Sequence, residues 1–239
     1  NSARYGGQIP VFRSVQLNRT RLVLGAGADR LAESSVAVFG VGGVGGYVAE
    51  FLARAGVGHI ALIDSDIVEQ SNLNRQIIAL NSTLGEKKVA VCARRLKDIN
   101  PRIKVGEFDF FFTAQTAFDF SKYDLVLDCI DTVTSKVALV KACNGVVPVI
   151  SCMGTGNKRA ASFEIADIYE TSVCPLARAM RRLLRQEGIT SLTAVYSKEM
   201  PEGGVVEQDG RHAPGSLSYV PAAAAAKMAE AAIALLQNG

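Results

Sequence analysis

Gly40, Gly42 and Gly45 are the first residues in this sequence whose types and spacing could do chemistry. They sit in the run Gly40-Val-Gly-Gly-Val-Gly-Gly46, with Gly43 between them, and so match G-x-G-x-x-G. In such a turn the first glycine bends the chain. The second admits a phosphate to the backbone, and the third lets helix and strand pack closely. The free N–H groups of the following helix then face an anion. Asp64 ends the next apolar run, where a carboxylate can accept both hydroxyls of a ribose. Phosphate and ribose together mean a nucleotide. At this point a dinucleotide and a nucleoside triphosphate are equally served.

The residues downstream separate the two. Asn72-Leu-Asn-Arg75-Gln76 follows Asp64 and Asp66, Lys88 opens the next helical pattern, and Asp131 closes Asp128-Cys-Ile-Asp. Arg and Lys clamp phosphates and stabilise developing charge. Mg²⁺ is held by one or two carboxylates plus phosphate oxygens. A hydride-transfer enzyme has no task for that set, so ATP with Mg²⁺ is the expected ligand pair. Taken singly, each residue has a blander use. Arg75 could be a surface ion pair, Lys88 a solvated helix residue, and Asp131 a helix cap with Thr132. Their order along one chain is what favours the chemical reading.

The elements that must hold these residues follow from the apolar pattern. Residues 36–39 form a short apolar run that stops at Gly40, as a buried parallel strand does. A helical pattern over 47–55 and a strand over 59–64 complete a βαβ unit. Then come a helix over 86–99 stopped by Pro101, a strand over 104–108, a short helix over 113–120, and a buried strand over 124–128. A helix over 135–144 and a strand over 146–150 continue the alternation. It predicts an α/β fold with a doubly wound, mostly parallel, Rossmann-like sheet. Beyond it a strand begins at Phe163, and Pro175 and Gly188 bracket a basic helix over 175–187. A strand over 192–196, a mobile loop over 202–214 and an Ala-rich helix over 221–236 finish the chain. The expected organisation is an N-terminal helical segment 1–35, a nucleotide-binding core 36–150, and a C-terminal α/β extension 151–239 of the same domain.

Composition removes several other classes. The chain has 239 residues, 49% of them hydrophobic, and a net charge of +3, which excludes disorder as its main state. The most apolar stretch, 220–236, carries Lys227 and Glu230, so no membrane span is expected. The opening residues 1–13 lack the apolar core of a signal peptide. Cys92, Cys129, Cys143, Cys152 and Cys174 are widely spaced and form no C-x-x-C pair, which argues against a disulfide framework and a zinc knuckle. A reducing cytoplasm is the expected setting. His59 and His212 have no metal-site company and receive no role.

With these motifs in order, the sequence resembles the ubiquitin-activating-enzyme-like superfamily of adenylating proteins. The resemblance rests on Gly40-Val-Gly-Gly-Val-Gly45, Leu62-Ile-Asp-Ser-Asp66, Asn72-Leu-Asn-Arg-Gln76, Gly85 with Lys88, and Asp128-Cys-Ile-Asp131. It implies that Asp64 binds ribose, that Asn72, Arg75 and Lys88 bind the triphosphate, and that Asp131 holds Mg²⁺. It also implies a homodimer. Arg19, or Arg21 two residues on, matches an arginine that such proteins donate across the dimer to the partner's site. Within the superfamily, Ser151-Cys-Met-Gly-Thr-Gly-Asn-Lys158, Ser172-Val-Cys-Pro-Leu-Ala-Arg178 and Pro214-Gly-Ser-Leu-Ser-Tyr-Val-Pro221 resemble the tRNA threonylcarbamoyladenosine dehydratase family. That resemblance implies ATP-dependent activation of a carboxylate on a modified adenosine of tRNA, followed by cyclisation. The alternative is adenylation of the C-terminus of a ubiquitin-like or sulfur-carrier protein.

Two further features bear on that choice. Arg178, Arg181, Arg182 and Arg185 recur at helical spacing and share a face, so they form a candidate tRNA phosphate stripe. The bland alternative is a solvated helix face. Lys158, Arg159 and Lys198 are candidates to extend the stripe. Cys174 precedes Pro175 at a helix start, where a thiolate is favoured, yet a free Cys is most often a small buried hydrophobe. The reaction needs no enzyme nucleophile.

Overall fold

The computed structural model describes residues 11–208 and 211–238; the expectation for residues 1–10 lies outside the described residues. The chain opens with α1 (Val11–Leu24) and α2 (Gly27–Glu33) and then enters the sheet at β1 (Ser35–Phe39). Further strands are β2 (His59–Ile63), β3 (Lys104–Phe108), β4 (Leu125–Asp128), β5 (Val149–Cys152), β6 (Glu164–Asp167) and β7 (Thr193–Tyr196). Their order in space is β3-β2-β1-β4-β5-β7-β6. All neighbours are parallel except β6, which runs antiparallel to β7. β1 has β2 on one side and β4 on the other, so the strand order reverses between β1 and β4. In a doubly wound sheet that reversal leaves a crevice at the carboxyl ends of the strands, where ligands bind.

Both faces of the sheet are covered, as a parallel sheet requires. Val36, Val38, Ile60 and Leu62 point to one face and pack with α3 (Gly45–Ala55), α4 (Lys88–Ile99) and α7 (Tyr219–Leu236). Ala37, Phe39, Ala61 and Ile63 point to the other, against α5 (Val133–Cys143) and an aromatic layer. α6 (Pro175–Gln186) buries Ala177, Met180 and Leu184 against a satellite core that includes Ile168 and Tyr196. α7 is the one helix among the described residues long and apolar enough to cross a membrane. Its Val220, Ala224, Met228 and Ala232 side lies in the main core, as in a core helix.

Three expectations need correction. Residues 113–119 are not helical, and Phe120 only opens the short 3-10 turn Phe120–Lys122. Phe112, Phe118 and Phe120 all pack on Phe39, with ring centroids at 5.1, 5.2 and 5.9 Å. Residues two apart on a helix do not share a face, so the chain makes a turn at Thr113, closed by Thr116 N–H on its carbonyl at 3.1 Å. The strand expected over 146–150 begins later, at Val149. Val146 and Val147 turn back onto the Cys143 carbonyl, and Pro148 has no N–H for a ladder. The expected loop over 202–214 contains a two-stranded hairpin, β8 (Val205–Gln208) and β9 (Arg211–Pro214).

Candidate nucleotide site

A cavity of about 850 Å³ opens at the switch point, beyond the ends of β1, β2 and β4. Gly40, Asp64, Arg75, Lys88, Asp131 and Thr132 are among its lining residues. The glycines divide their work as the spacing predicts. Gly40 has φ +87°, and a Cβ there would lie 2.7 Å from the Cys129 carbonyl oxygen. A Cβ on Gly45 would lie 1.8 Å from the Gly40 carbonyl oxygen, so a side chain is excluded by the turn itself. Gly42 differs: a Cβ would meet nothing nearer than Gln76 Nε2 at 3.7 Å. Its bareness leaves open space on the cavity side. Gly43 backs onto Pro221 of α7 and the stem of Arg75.

Asp64 stands at the exit of β2 and ties the glycine turn down. Its Oδ2 accepts from Val41 N–H at 2.6 Å and its Oδ1 from Asp66 N–H at 2.8 Å. Each oxygen keeps a lone pair for a further donor. Burial pushes its carboxyl above the ordinary value, while the Lys88 ammonium and the two N–H bonds pull the other way. Lys88 opens α4 with its side chain buried, and its Nζ meets Asp66 Oδ2 at 2.7 Å. Arg75 is half-buried. Its Nη1 donates to the Ser71 carbonyl at 3.0 Å and to Asn74 Oδ1 at 2.9 Å. Burial lowers its pKa, opposed by the charge of Asp131 across the cavity. These are one anchored carboxylate and two anchored cations around an open glycine turn.

Asn72 is placed differently. It is not among the cavity-lining residues. Its Oδ1 accepts from Glu69 N–H at 3.1 Å and its Nδ2 donates to Ser71 Oγ at 3.3 Å, closing the 3-10 turn Gln70–Asn72 that carries Arg75. Asp131 is exposed at the cavity, its Oδ1 accepting from Thr132 Oγ1 at 3.2 Å. Among the described residues no three His, Cys, Asp or Glu side chains cluster as a metal cage would.

A buried network that sequence reasoning missed lies beneath Asp131. Lys136 Nζ meets Asp128 Oδ2 at 2.9 Å, and both side chains are fully buried. The same Nζ donates to the carbonyls of Ile130 at 3.1 Å and Cys152 at 2.8 Å, and Ser151 Oγ donates to Asp128 Oδ2 at 2.5 Å. One ammonium therefore pins the β4 and β5 exits, which both line the cavity. The only sequence signal was a lysine five residues after Asp131, one of two in its helix. The aromatic wall of Phe110, Phe111 and Phe112 was also missed, although the run Phe110-Phe-Phe112 was visible.

Arg19 and the arginines of α6 do not line the cavity. Arg19 is exposed on α1, near Leu22 and Val23, which are 86% and 83% exposed. Arg21 is held by Asp29 at 2.5 Å. On α6, Arg178 and Arg182 are exposed. Arg181 donates to the Thr171 carbonyl at 3.0 Å and also to its hydroxyl. Arg185 lies over the Tyr169 ring at 5.0 Å. Lys158 is buried and donates to the Glu199 carbonyl, so it does not extend a surface stripe. Lys198 pairs with Glu164 at 2.7 Å. Cys174 is 1% exposed in the satellite core. Cys129 and Cys152 line the cavity, but burial pushes both thiols up, Cys152 to about 12, which keeps them protonated.

A doubly wound sheet with an anchored carboxylate, two anchored cations and an open glycine turn at its switch point defines an α/β nucleotide-binding protein. The ThiF family model matches residues 14–238, and the chain belongs to that family and, within it, to the tRNA threonylcarbamoyladenosine dehydratase family. The tRNA threonylcarbamoyladenosine dehydratase of Bacillus subtilis is 42% identical over 207 residues, which cover 84% of this chain and 81% of that protein. Its Escherichia coli counterpart is 37% identical over 160 residues, 65% of this chain and 60% of that one. The crystal structure of the E. coli tRNA N6-threonylcarbamoyladenosine dehydratase in complex with ATP superposes with a TM-score of 0.88 at 29% identity, covering 96% of this chain and 97% of that one.

Proposed function

We propose that the chain is an ATP-dependent tRNA threonylcarbamoyladenosine dehydratase. ATP activates the carboxylate of the modified nucleoside, which cyclises with release of AMP and pyrophosphate. The observation that carries this reading is the convergence of the glycine turn, Asp64, Arg75, Lys88 and Asp131 on one cavity at the switch point. Asp64 takes the ribose hydroxyls. The phosphates lie over Gly42 and Gly43, against the Arg75 guanidinium and the Lys88 ammonium. Asp131, exposed at the cavity, suits Mg²⁺, which is held by one or two carboxylates plus phosphate oxygens. When bound, the metal supplies positive charge to the phosphates.

The chemical problem is repulsion, since a carboxylate must approach an anionic phosphate. A carboxylate oxygen bonds to the α-phosphorus as the bond to pyrophosphate breaks. Arg75 and Lys88, fixed beforehand by Ser71, Asn74 and Asp66, offset the charge without reorganising at the moment of reaction. The carbamoyl group then attacks the activated carbonyl carbon, and AMP leaves. The attack is intramolecular, so positioning supplies what an enzyme nucleophile would otherwise provide. The packed position of Cys174 agrees with that.

A homodimer is part of the proposal. The exposed Leu22 and Val23 give α1 an apolar surface suited to a second copy. Arg21 is already paired with Asp29, which favours Arg19 as the arginine that reaches the partner's phosphates. Arg178 and Arg182 are the residues of α6 best placed to meet tRNA phosphates. Five free cysteines suit a reducing cytoplasm.

The deciding experiment supplies the protein with ATP, Mg²⁺ and tRNA bearing threonylcarbamoyladenosine, and then weighs the nucleoside by mass spectrometry. The expected result is loss of one water together with AMP formation. An unchanged nucleoside, with AMP forming only when a carrier protein is added, would sink the proposal.

A further inference from the structure

Gln76 stands one residue beyond Arg75, in the turn that follows Gln70–Asn72. Its backbone is fully used: its N–H donates to the Asn72 carbonyl at 2.9 Å and its carbonyl accepts from Ala79 N–H at 3.0 Å. Its side chain is not. It is 7% exposed and lines the nucleotide cavity. Its Oε1 is the one buried side-chain polar atom without a hydrogen-bond partner among the described residues. Its Nε2 points at Gly42, 3.7 Å from where a Cβ would stand. An unpaired amide in a buried position is costly, and native proteins rarely keep one without a use. The neighbouring buried Asn72 satisfies its amide within its own turn, so an amide here can be paired locally when structure is its purpose.

We propose that Gln76 is a binding residue for the phosphate chain of ATP. The proposal rests on the nucleotide part of the function given above. Phosphoryl oxygens only accept hydrogen bonds, and an amide NH₂ carries two donors. A phosphate seated against the bare face of Gly42 meets Nε2, and a water of its hydration shell donates to Oε1. Gln76 is neutral, unlike Arg75 and Lys88. It adds directional bonds without adding charge, and so fixes the phosphate's orientation between two cations that would hold it in many.

The test uses the full chain and its Gln76→Leu and Gln76→Glu variants, with ATP titrated calorimetrically and melting followed by differential scanning calorimetry. Leu fills the same space without an unpaired dipole, so its Tm should equal or exceed the parent's. Its Kd for ATP should rise about tenfold or more. Glu places a carboxylate against phosphate and should weaken binding further than Leu. ATP binding by the Leu variant within about twofold of the parent overturns the proposal. So does a lowered Tm in that variant, which would assign Gln76 to structure. A parent that binds ATP but leaves the modified tRNA unchanged refutes the dehydratase reading and leaves this one standing. A parent that binds no ATP refutes both.

Discussion

Lys136 and Asp128 form an ion pair of 2.9 Å in which neither side chain reaches solvent. Removing one member of such a pair leaves an uncompensated buried charge, at a cost of about 3–5 kcal/mol. Lys136→Met should therefore lower Tm strongly. The double change with Asp128→Leu should recover much of that stability, because no charge is then stranded. Activity should not return with it, since nothing would tie the Ile130 and Cys152 carbonyls together. Recovery of both in the double variant would show that the network serves stability alone.

The glycines make opposite predictions. Gly45→Ala puts a carbon 1.8 Å from a carbonyl oxygen, so it should prevent folding or remove most of the stability, read by circular dichroism. Gly42→Ala meets nothing closer than 3.7 Å and should melt with the parent. Its Kd for ATP should nevertheless rise about tenfold or more, because the methyl takes the space of a phosphate. Equal ATP affinity in the Gly42 variant would remove the phosphate from that face.

Asp64 should give ATP binding a pH dependence. Ribose recognition needs the ionised carboxylate, whose folded pKa is raised by burial. Affinity should thus be full at neutral pH and fall on acidification. The fall should begin above the range near 3.9 where an exposed aspartate titrates. Asp64→Asn should bind weakly with a flatter profile. A parent affinity constant down to pH 4 would contradict the role.

The α6 arginines should separate into two groups. Arg178→Ala and Arg182→Ala should weaken tRNA binding and each lower the slope of log K against log salt by about one. Arg181→Ala should instead cost about 1 kcal/mol of stability or more through its lost bonds to Thr171. Identical salt slopes in parent and double variant would place the tRNA elsewhere.

For Arg19, mixed dimers decide. Arg19→Ala and Lys88→Ala chains, each inactive alone, should regain activity when mixed if one chain completes the other's site. No rescue in a verified mixed dimer would place Arg19 outside the phosphate site.

The sequence told most where chemistry and backbone geometry coincide. Gly40 and Gly45 could be assigned because their neighbours forbid a Cβ, and such requirements leave a trace in residue type. The alternation of strands through β5 was legible for a similar reason, since a strand buried on both faces is an unbroken apolar run. Residues 113–120 misled because Phe118 and Phe120 answer to Phe39, distant in sequence, and no local period encodes that. Lys136 was hidden because a buried charge looks like any helix lysine until its partners are placed. Lys158, buried beneath Glu199, was hidden in the same way.

The packing of α7 has a consequence for the order in which the molecule is made. The glycine turn, α3 and β2 leave the ribosome before the rest of the sheet that follows them, and the element that backs them comes after every strand of the sheet. Pro221 of α7 supports Gly43, and Met228 and Ala232 complete the core beside Val48 and Leu52. Until α7 is made, a nascent chain carries its phosphate-binding residues without the surface that holds them in place. The support beneath the phosphate-binding turn is thus a long-range contact, made only once α7 has been synthesised.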